Sequence, residues 1–294
     1  MAWGGAACVA YGSLVERRWY RLRREALSGA LRTGSPGHLR ALHVSDLHLA
    51  SSDRSLAGFI RSLAEETVDL VVATGDLVGA VGCEDATVEL LAALTASGTP
   101  GVAVLGSNDF YGPAPKSPHH YFTDRDRRVL GPKLDTGRLR RGLEDTGWRV
   151  LENQHATFEL GHAVVEVAGL VDPHLDPMRL PSSATIAARE PNATLRLGLV
   201  HAPYVHALDL LAAAGYGVIL AGHTHGGQVR LPPFGALVTN CDLPPRLARG
   251  SSRWPLPKEA GSVWLHVSAG LGQSRYAPIR FACRPEASLL EFFP

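Results

Sequence analysis

Lysine is nearly missing from this chain. Only Lys116, Lys133 and Lys258 occur among 29 basic residues, and with so many alanines present the imbalance reflects coding composition more than a demand for guanidinium chemistry. An excess of one charge is missing too: 29 basic residues against 28 acidic ones leave a formal net charge of +1. That excludes a global pull towards nucleic acid, so any anion must be bound by a local site. Cysteine is sparse, and Cys8, Cys83, Cys241 and Cys283 lie far apart without a CxxC pair. Neither a zinc knuckle nor a disulfide framework is implied, and reduced structural thiols are expected. The uncharged stretch at residues 2–15 is too short and too rich in Gly and Ala for a membrane-crossing helix, which needs about 20 apolar residues. Its basic run, Arg17, Arg18, Arg21, Arg23 and Arg24, follows rather than precedes it, a poor match to a cleaved secretory signal. There is no internal repeat, no low-complexity tract and no G-x-S-x-G elbow, so a serine-centred hydrolase has no support.

With 294 residues, 45% hydrophobic and 19% charged, the chain can bury a large core and carries no signature of disorder. Turn residues at 34–37 mark a boundary between an N-terminal basic arm, residues 1–38, and an ordered domain, residues 39–294. The arm has two readings: an interfacial segment on a membrane surface, or a helix that packs on the core. Continuous apolar runs at 41–44, 70–73, 101–105, 162–169, 195–200, 217–221 and 263–267 read as strands covered on both faces. Helical spacing of apolar residues appears at 56–66, 86–96, 139–146 and 205–214. The alternation predicts a layered α/β domain.

Five of these runs end in residues of metal-ligand type: Asp46-Leu47-His48, Gly75-Asp76, Gly106-Ser107-Asn108-Asp109, His201-Ala202-Pro203 and Gly222-His223-Thr224-His225-Gly226-Gly227-Gln228. In open α/β sheets ligands bind just past the carboxyl ends of strands, so convergence on one site is the economical expectation. Carboxylate, amide and imidazole without thiolate suit manganese, zinc or iron. The donors are too numerous for one four-coordinate ion, and an Asp between two half-sites can bridge a metal pair about 3.5–4 Å apart.

The order D-x-H, G-D, a G-N-H-[DE]-like tetrad, H and G-H-x-H resembles the calcineurin-like metallophosphoesterase superfamily from about Ala41 to Gln228. The GHTHGGQ ending, and the tail from Gly270-Leu271-Gly272 through Pro278-Ile279-Arg280 to Pro285-Glu286, resemble a bacterial branch of membrane-associated phosphoesterases and relatives of UDP-diacylglucosamine hydrolases. The resemblance implies an α/β/β/α sandwich with its metal site at the carboxyl ends of the strands. It implies two divalent ions, one held by Asp46, His48, Asp76 and His225, the other by Asp76, Asn108, His201 and His223. Asp46, Asp76, Asn108 and His201 would then serve hydrolysis of a phosphate monoester, diester or pyrophosphate by a metal-bridging hydroxide, in a cytoplasmic or membrane-peripheral protein.

The third motif departs from the family pattern. Aligned without a gap, Ser107 takes the ligand position and Asn108 stands where the catalytic imidazole belongs; shifted by one, Asn108 stays a ligand and the imidazole is missing. An amide oxygen is the better neutral ligand, which favours Asn108. The missing imidazole also supports an alternative, a binding scaffold of the same fold with weakened turnover. A nuclease would need a basic groove, and the only dense basic run lies in the arm. Asp172-Pro173-His174 is expected to be a loop turn or a rim acid and imidazole. Lys116, His119 and His120 in the loop 110–121 could clamp a phosphate, and Arg280 could pair with Glu286 or reach substrate, with Arg275 nearby. Loops 110–121 and 232–254 would set substrate choice.

Overall fold

The apolar runs form two six-stranded sheets that pack face to face. The structure, a computed structural model, describes every residue except 1, 36, 51–52, 116–129, 162, 256–260 and 274. The first sheet runs in the order β1 (Arg21–Leu27), β14 (Glu286–Phe292), β2 (Leu39–Val44), β3 (Leu70–Thr74), β4 (Gly101–Val104) and β5 (Trp148–Val150). The second runs β12 (Gly250–Trp254), β13 (Val263–Val267), β9 (Val218–Ala221), β8 (Leu195–Val200), β7 (Ala163–Gly169) and β6 (Gln154–Leu160). Strands β2 to β5 are mutually parallel, as are β13, β9, β8 and β7. A small hairpin, β10 (Arg230–Leu231) with β11 (Gly235–Ala236), stands apart.

Period-two alternation sorts the strand residues into three cores. Leu39, Ala41, Leu70, Val72 and Val102 face the space between the sheets and meet Val165, Leu197, Leu199 and Leu220 there. Leu42, Val44, Val71 and Ala73 face the other way, onto the helices α2 (Arg54–Leu63), α3 (Glu84–Thr95) and α4 (Thr136–Asp145). Helix α5 (Val205–Ala213) covers the outer face of the second sheet through Ala207, Leu208 and Leu211. Helix α2 buries Leu56, Ile60 and Leu63, an i, i+4, i+7 stripe. Helix α4 starts where the Asp135 carboxylate accepts the Arg138 N–H at 2.9 Å. The expected α/β/β/α layering is therefore the architecture found, with each expected strand and helix present to within a few residues; residue 162 lies outside the described residues.

The N-terminal segment differs from the expectation of an arm ending at residue 38. Residues 21–27 are β1, paired in parallel with β14 along its whole length. Arg21 donates twice to the buried Glu286 carboxylate, at 2.8 and 3.0 Å, and the exposed Arg24 pairs with Glu66 at 2.8 Å. An edge strand has one open ladder and can carry charged side chains, so a strand hides there inside a basic run. Helix α1 (Ala2–Leu14) is tied down as well: Arg280 N–H donates to the Gly12 carbonyl at 3.1 Å. The Glu16 carboxylate accepts the N–H groups of Ala282 and Cys283 at 3.0 and 2.6 Å. Among the described residues no helix is long and apolar enough to cross a membrane.

Glu25 on β1 joins the two sheets. Its carboxylate accepts the Ser251 N–H at 3.0 Å and lies 3.7 Å from His266 Nδ1. Burial pushes this carboxyl up, but the neighbouring His266, with the Ser251 hydrogen bond and the Arg23 charge, outweighs it and holds it at about 2. A depressed carboxyl stabilises the fold fully above its ordinary value of 4.5 and loses that contribution as pH falls through about 2. The stability gap between wild type and Glu25→Gln, read by urea unfolding, is expected to be constant above pH 4.5 and to close as pH falls to about 2. A gap unchanged across that window would refute the pairing.

Candidate metal centre

The loops that follow β2, β3, β4, β8 and β9 converge at one end of the sandwich, so both sheets contribute to the site. Asp46 and His48 follow β2, Asp76 follows β3, Asn108 follows β4, His201 follows β8, and His223 and His225 follow β9. Asp46, His48, Asp76, His223 and His225 all take left-handed backbone angles, with φ of 49°, 42°, 53°, 67° and 49°. Each such residue costs about 1–3 kcal/mol without glycine's freedom. The sharp reversals aim successive side chains at one point instead of letting them alternate as in a strand. Close approach is secured by Gly106, where a Cβ would meet His201 Cδ2 at 2.8 Å.

Two overlapping groups of donors lie within 4.8 Å of one another: Asp46, His48 and His225, and Asp46, Asp76 and His201. His48 Nε2 is 3.2 Å from His225 Nε2 and 3.6 Å from Asp76 Oδ2. His225 Nε2 is 3.6 Å from Asp46 Oδ1, and His201 Nε2 is 3.4 Å from Asp76 Oδ1. His223 falls outside both groups, its ring packing edge-on against His201 with centroids 5.2 Å apart.

The far side of each of three imidazoles is fixed by a main-chain carbonyl. A carbonyl only accepts, so His201 Nδ1–H donates to Thr74 at 2.7 Å, His225 Nδ1–H to Gly272 at 3.2 Å and His223 Nε2–H to Asn240 at 3.2 Å. Each ring thereby turns its other nitrogen into the site, the arrangement that metal-bound histidines show. His201 Nε2 is buried with no hydrogen-bond partner, an orphan that a cation would satisfy.

Electrostatics point the same way. Burial raises Asp46 above the usual carboxylate range, with His201 opposing and Asp76 adding to the shift. Burial also acts to raise Asp76, yet the charge of the adjacent His201 holds it well below that range. His201 is lifted well above the ordinary imidazole value because Asp76, Asp172 and Asp46 outweigh the burial that opposes its charge. His223 and His225 are driven well down, first by burial and then by electrostatic repulsion from the neighbouring His174 and His48 respectively. The negative charge that holds a proton on His201 would hold a cation in its place, and the imidazoles of His223 and His225 stand ready as neutral ligands. Nitrogen and oxygen donors in this arrangement fit a divalent cation.

The calcineurin-like phosphoesterase family model matches residues 39–227, the span that carries all of these loops. The chain belongs to this family. It is 32% identical over 146 residues to an uncharacterised metallophosphoesterase of Bacillus subtilis, YkuE, covering 49% of this chain and 46% of that protein. It is 30% identical over 167 residues to the UDP-2,3-diacylglucosamine pyrophosphatase LpxG of Chlamydia trachomatis, covering 55% of this chain and 46% of that protein. The matched regions thus span about half the length of both relatives. The NAD nucleotidase NadN of Haemophilus influenzae shares the fold, at a TM-score of 0.50 and 13% identity over 86% of this chain and 49% of that one.

Beside the expected ligands the family fold places groups that the sequence does not announce. Arg280 is fully buried and touches no carboxylate; it donates to the carbonyls of Gly270 and Gly272 at 3.1 and 2.6 Å. Gly272 in turn gives its N–H to the Asp46 carbonyl and its own carbonyl to His225, so Arg280 braces the loop that holds two site residues. Glu286, the partner expected for Arg280, is taken by Arg21 and Arg249. Asp109 is buried, accepts the N–H groups of Leu77, Val78 and Gly106, and is pushed up to about 7 by burial and the Asp76 charge; it pins the loop after β4. Asp172 forms a turn by accepting the His174 N–H at 3.0 Å, but it is buried near His201 instead of standing at a rim, and burial pushes it up to about 6. His174 packs on His223 with centroids 4.6 Å apart. Arg275 is exposed, and Lys116, His119 and His120 lie outside the described residues.

Asn108 meets Asp76 twice, its N–H at 2.8 Å from Oδ1 and its side-chain amide nitrogen at 2.6 Å from Oδ2. Its amide therefore stands beside a carboxylate of the candidate metal site, where a flip of the amide plane would turn its oxygen towards a bound cation. Asn108→Ala is expected to reduce the metal content of the purified protein, with Ser107→Ala leaving it unchanged, as read by elemental analysis. The reverse result would put Ser107 in the ligand position.

Proposed function

We propose that this chain hydrolyses phosphate esters or pyrophosphates at a two-metal centre. Asp46, His48, Asp76 and His225 are assigned to one ion, and Asp76, Asn108, His201 and His223 to the other. The observation that carries the reading is the set of three imidazoles turned by main-chain carbonyls so that their other nitrogens face the site beside two buried carboxylates. When bound, two divalent ions such as manganese, zinc or iron supply an attacking water of lowered pKa and neutralise charge on the phosphoryl oxygens.

The protein's own part is positioning and charge. Asp76 lies between His48 and His201, at 3.6 and 3.4 Å, where one carboxylate can serve both ions. Asp46 is held by the His223 N–H at 3.0 and 3.1 Å and by the Ser45 hydroxyl at 2.6 Å, which keeps its oxygens oriented. Asp76→Asn is expected to weaken both metals, whereas His48→Ala should leave one ion per chain. Two ions retained in Asp76→Asn, measured by elemental analysis after metal loading, would exclude the bridge.

No imidazole follows Asn108, so this loop offers no general acid to the leaving group. Such a group typically contributes about 10²–10⁴-fold when the leaving oxygen needs a proton. Leaving groups that are already stable as anions, phosphates and aryl oxides, need it least, which favours pyrophosphate or activated ester substrates; the similarity to LpxG supports the same class. With manganese, turnover of aryl phosphodiesters is expected to exceed that of alkyl ones, and Ser107→Asn with Asn108→His to raise alkyl turnover more than aryl. A metal-loaded protein that turns over neither class would favour the scaffold alternative.

We also propose that α1 rests on a membrane surface. Residues 2–14 carry no charge, Val9, Leu14, Val15 and Trp19 are exposed, and Arg17 and Arg18 follow. Deleting residues 2–14, which spares β1, is expected to abolish co-sedimentation with anionic vesicles without loss of bound metal; unchanged co-sedimentation would end this reading.

A further inference from the structure

The inner faces of the two sheets are apolar apart from the Glu25–His266 link near one edge and the end nearest the metal centre. There the series Leu39, Ala41 on β2 continues to His43, and Leu70, Val72 on β3 continues to Thr74. His43, Thr74 and Ser45 are fully buried. Packing at these positions would be served by valine or leucine, as it is one residue pair deeper, so three polar side chains call for another reason.

They form one hydrogen-bonded chain that ends on Asp46. His43 Nε2 lies 2.8 Å from Thr74 Oγ1, Thr74 Oγ1 lies 2.8 Å from Ser45 Oγ, and Ser45 Oγ lies 2.6 Å from Asp46 Oδ2. The direction of every bond follows from the last one. An ionised carboxylate can only accept, so the Ser45 hydroxyl donates to Asp46, sharing its hydrogen weakly with the Thr74 carbonyl at 3.2 Å. Ser45 Oγ must then accept from Thr74, and Thr74 Oγ1 must accept from His43 Nε2–H. His43 is thus fixed as the tautomer with its lone pair on Nδ1, the nitrogen that has no partner. Burial, with the charge of His266, holds His43 well below the ordinary imidazole value, so it stays neutral in this role. Gly222 keeps the space open, since a Cβ there would strike Ser45 Oγ.

We infer that His43 is a positioning residue of the metal centre: through Thr74 and Ser45 it polarises and orients the Asp46 carboxylate, although it touches neither metal nor substrate. Bonds aligned in one direction strengthen one another in a low-dielectric interior, and partners that orient a metal-binding carboxylate typically change metal affinity about 10–100-fold. The inference rests on the assignment of Asp46 as a ligand.

The test is calorimetric titration of Mn²⁺ into the metal-free full chain, with the thermal midpoint of each variant measured alongside. Thr74→Val, which keeps shape and removes the hydroxyl, is expected to weaken Mn²⁺ binding about tenfold or more. Thr74→Ser, which restores the hydroxyl in a smaller side chain, should bind nearly as wild type does. His43→Leu should follow Thr74→Val, and His43→Gln, which places an amide N–H near the Nε2 position, should recover binding; this pair decides the matter if Thr74→Val does not fold. Nitrogen-15 spectra of the loaded protein should show His43 protonated at Nε2. Wild-type affinity in Thr74→Val, an equal loss in Thr74→Ser, or an Nδ1-protonated His43 would overturn the relay. Wild-type affinity in Asp46→Ala would overturn the ligand assignment beneath it, a failure distinguishable from the first because the Thr74 variants would then be irrelevant to binding.

Discussion

Two carboxylates buried side by side dominate the energetics of this molecule. Asp46 is fully buried and Asp76 nearly so, and the same cluster holds Asp172 and Asp109 within electrostatic reach. Such a concentration of negative charge away from water is tolerable only with compensating cations and hydrogen bonds. The rest of the end of the sandwich can be read as the supply of that compensation: N–H groups from His223 and Asn108, a hydroxyl from Ser45, imidazoles from both sheets, and the buried guanidinium of Arg280 one loop away. Divalent ions complete a balance that the protein leaves short.

Precision at the site is obtained from the backbone. Left-handed angles at five non-glycine residues would be costly in a flexible loop, but each follows a strand that is hydrogen-bonded on both sides. The strands therefore hold the strain, and the ligands inherit the rigidity of the sheets. The Gly270–Gly272 loop works from the opposite direction, clamped by Arg280 and closing over Asp46 and His225.

How much of this was legible in the sequence depends on the range over which each signal acts. The central strands and the polar residues that converge past their ends are readable because a buried parallel strand is a local apolar run and a polar side chain at its end is a local departure from it. Strands β1 and β12 are not: at the sheet edges, arginines and serines occupy positions that a central strand would fill with valine. Strand β14 lies between two neighbours, but Glu286, Ser288 and Glu291 interrupt its apolar residues, so it shows no continuous apolar run. Neither the brace from Arg280 nor the chain from His43 to Asp46 has a local signature, since their partners lie in segments brought together only by the packed sheets. The register around Ser107 and Asn108 needed the position of Asp76 to favour one alignment.

The residues assigned to the proposed metal centre are divided between the two sheets, with Asp46, His48, Asp76 and Asn108 on one and His201, His223 and His225 on the other. Metal affinity is then a property of the docked pair and not of either layer. By thermodynamic linkage, whatever free energy the ions release on binding is added to the cohesion of the interface between the layers. Metal held there would act as a rivet through the open end of the sandwich, and its scarcity would first be felt as a loosening of the two layers against each other, before either sheet lost its own hydrogen bonds.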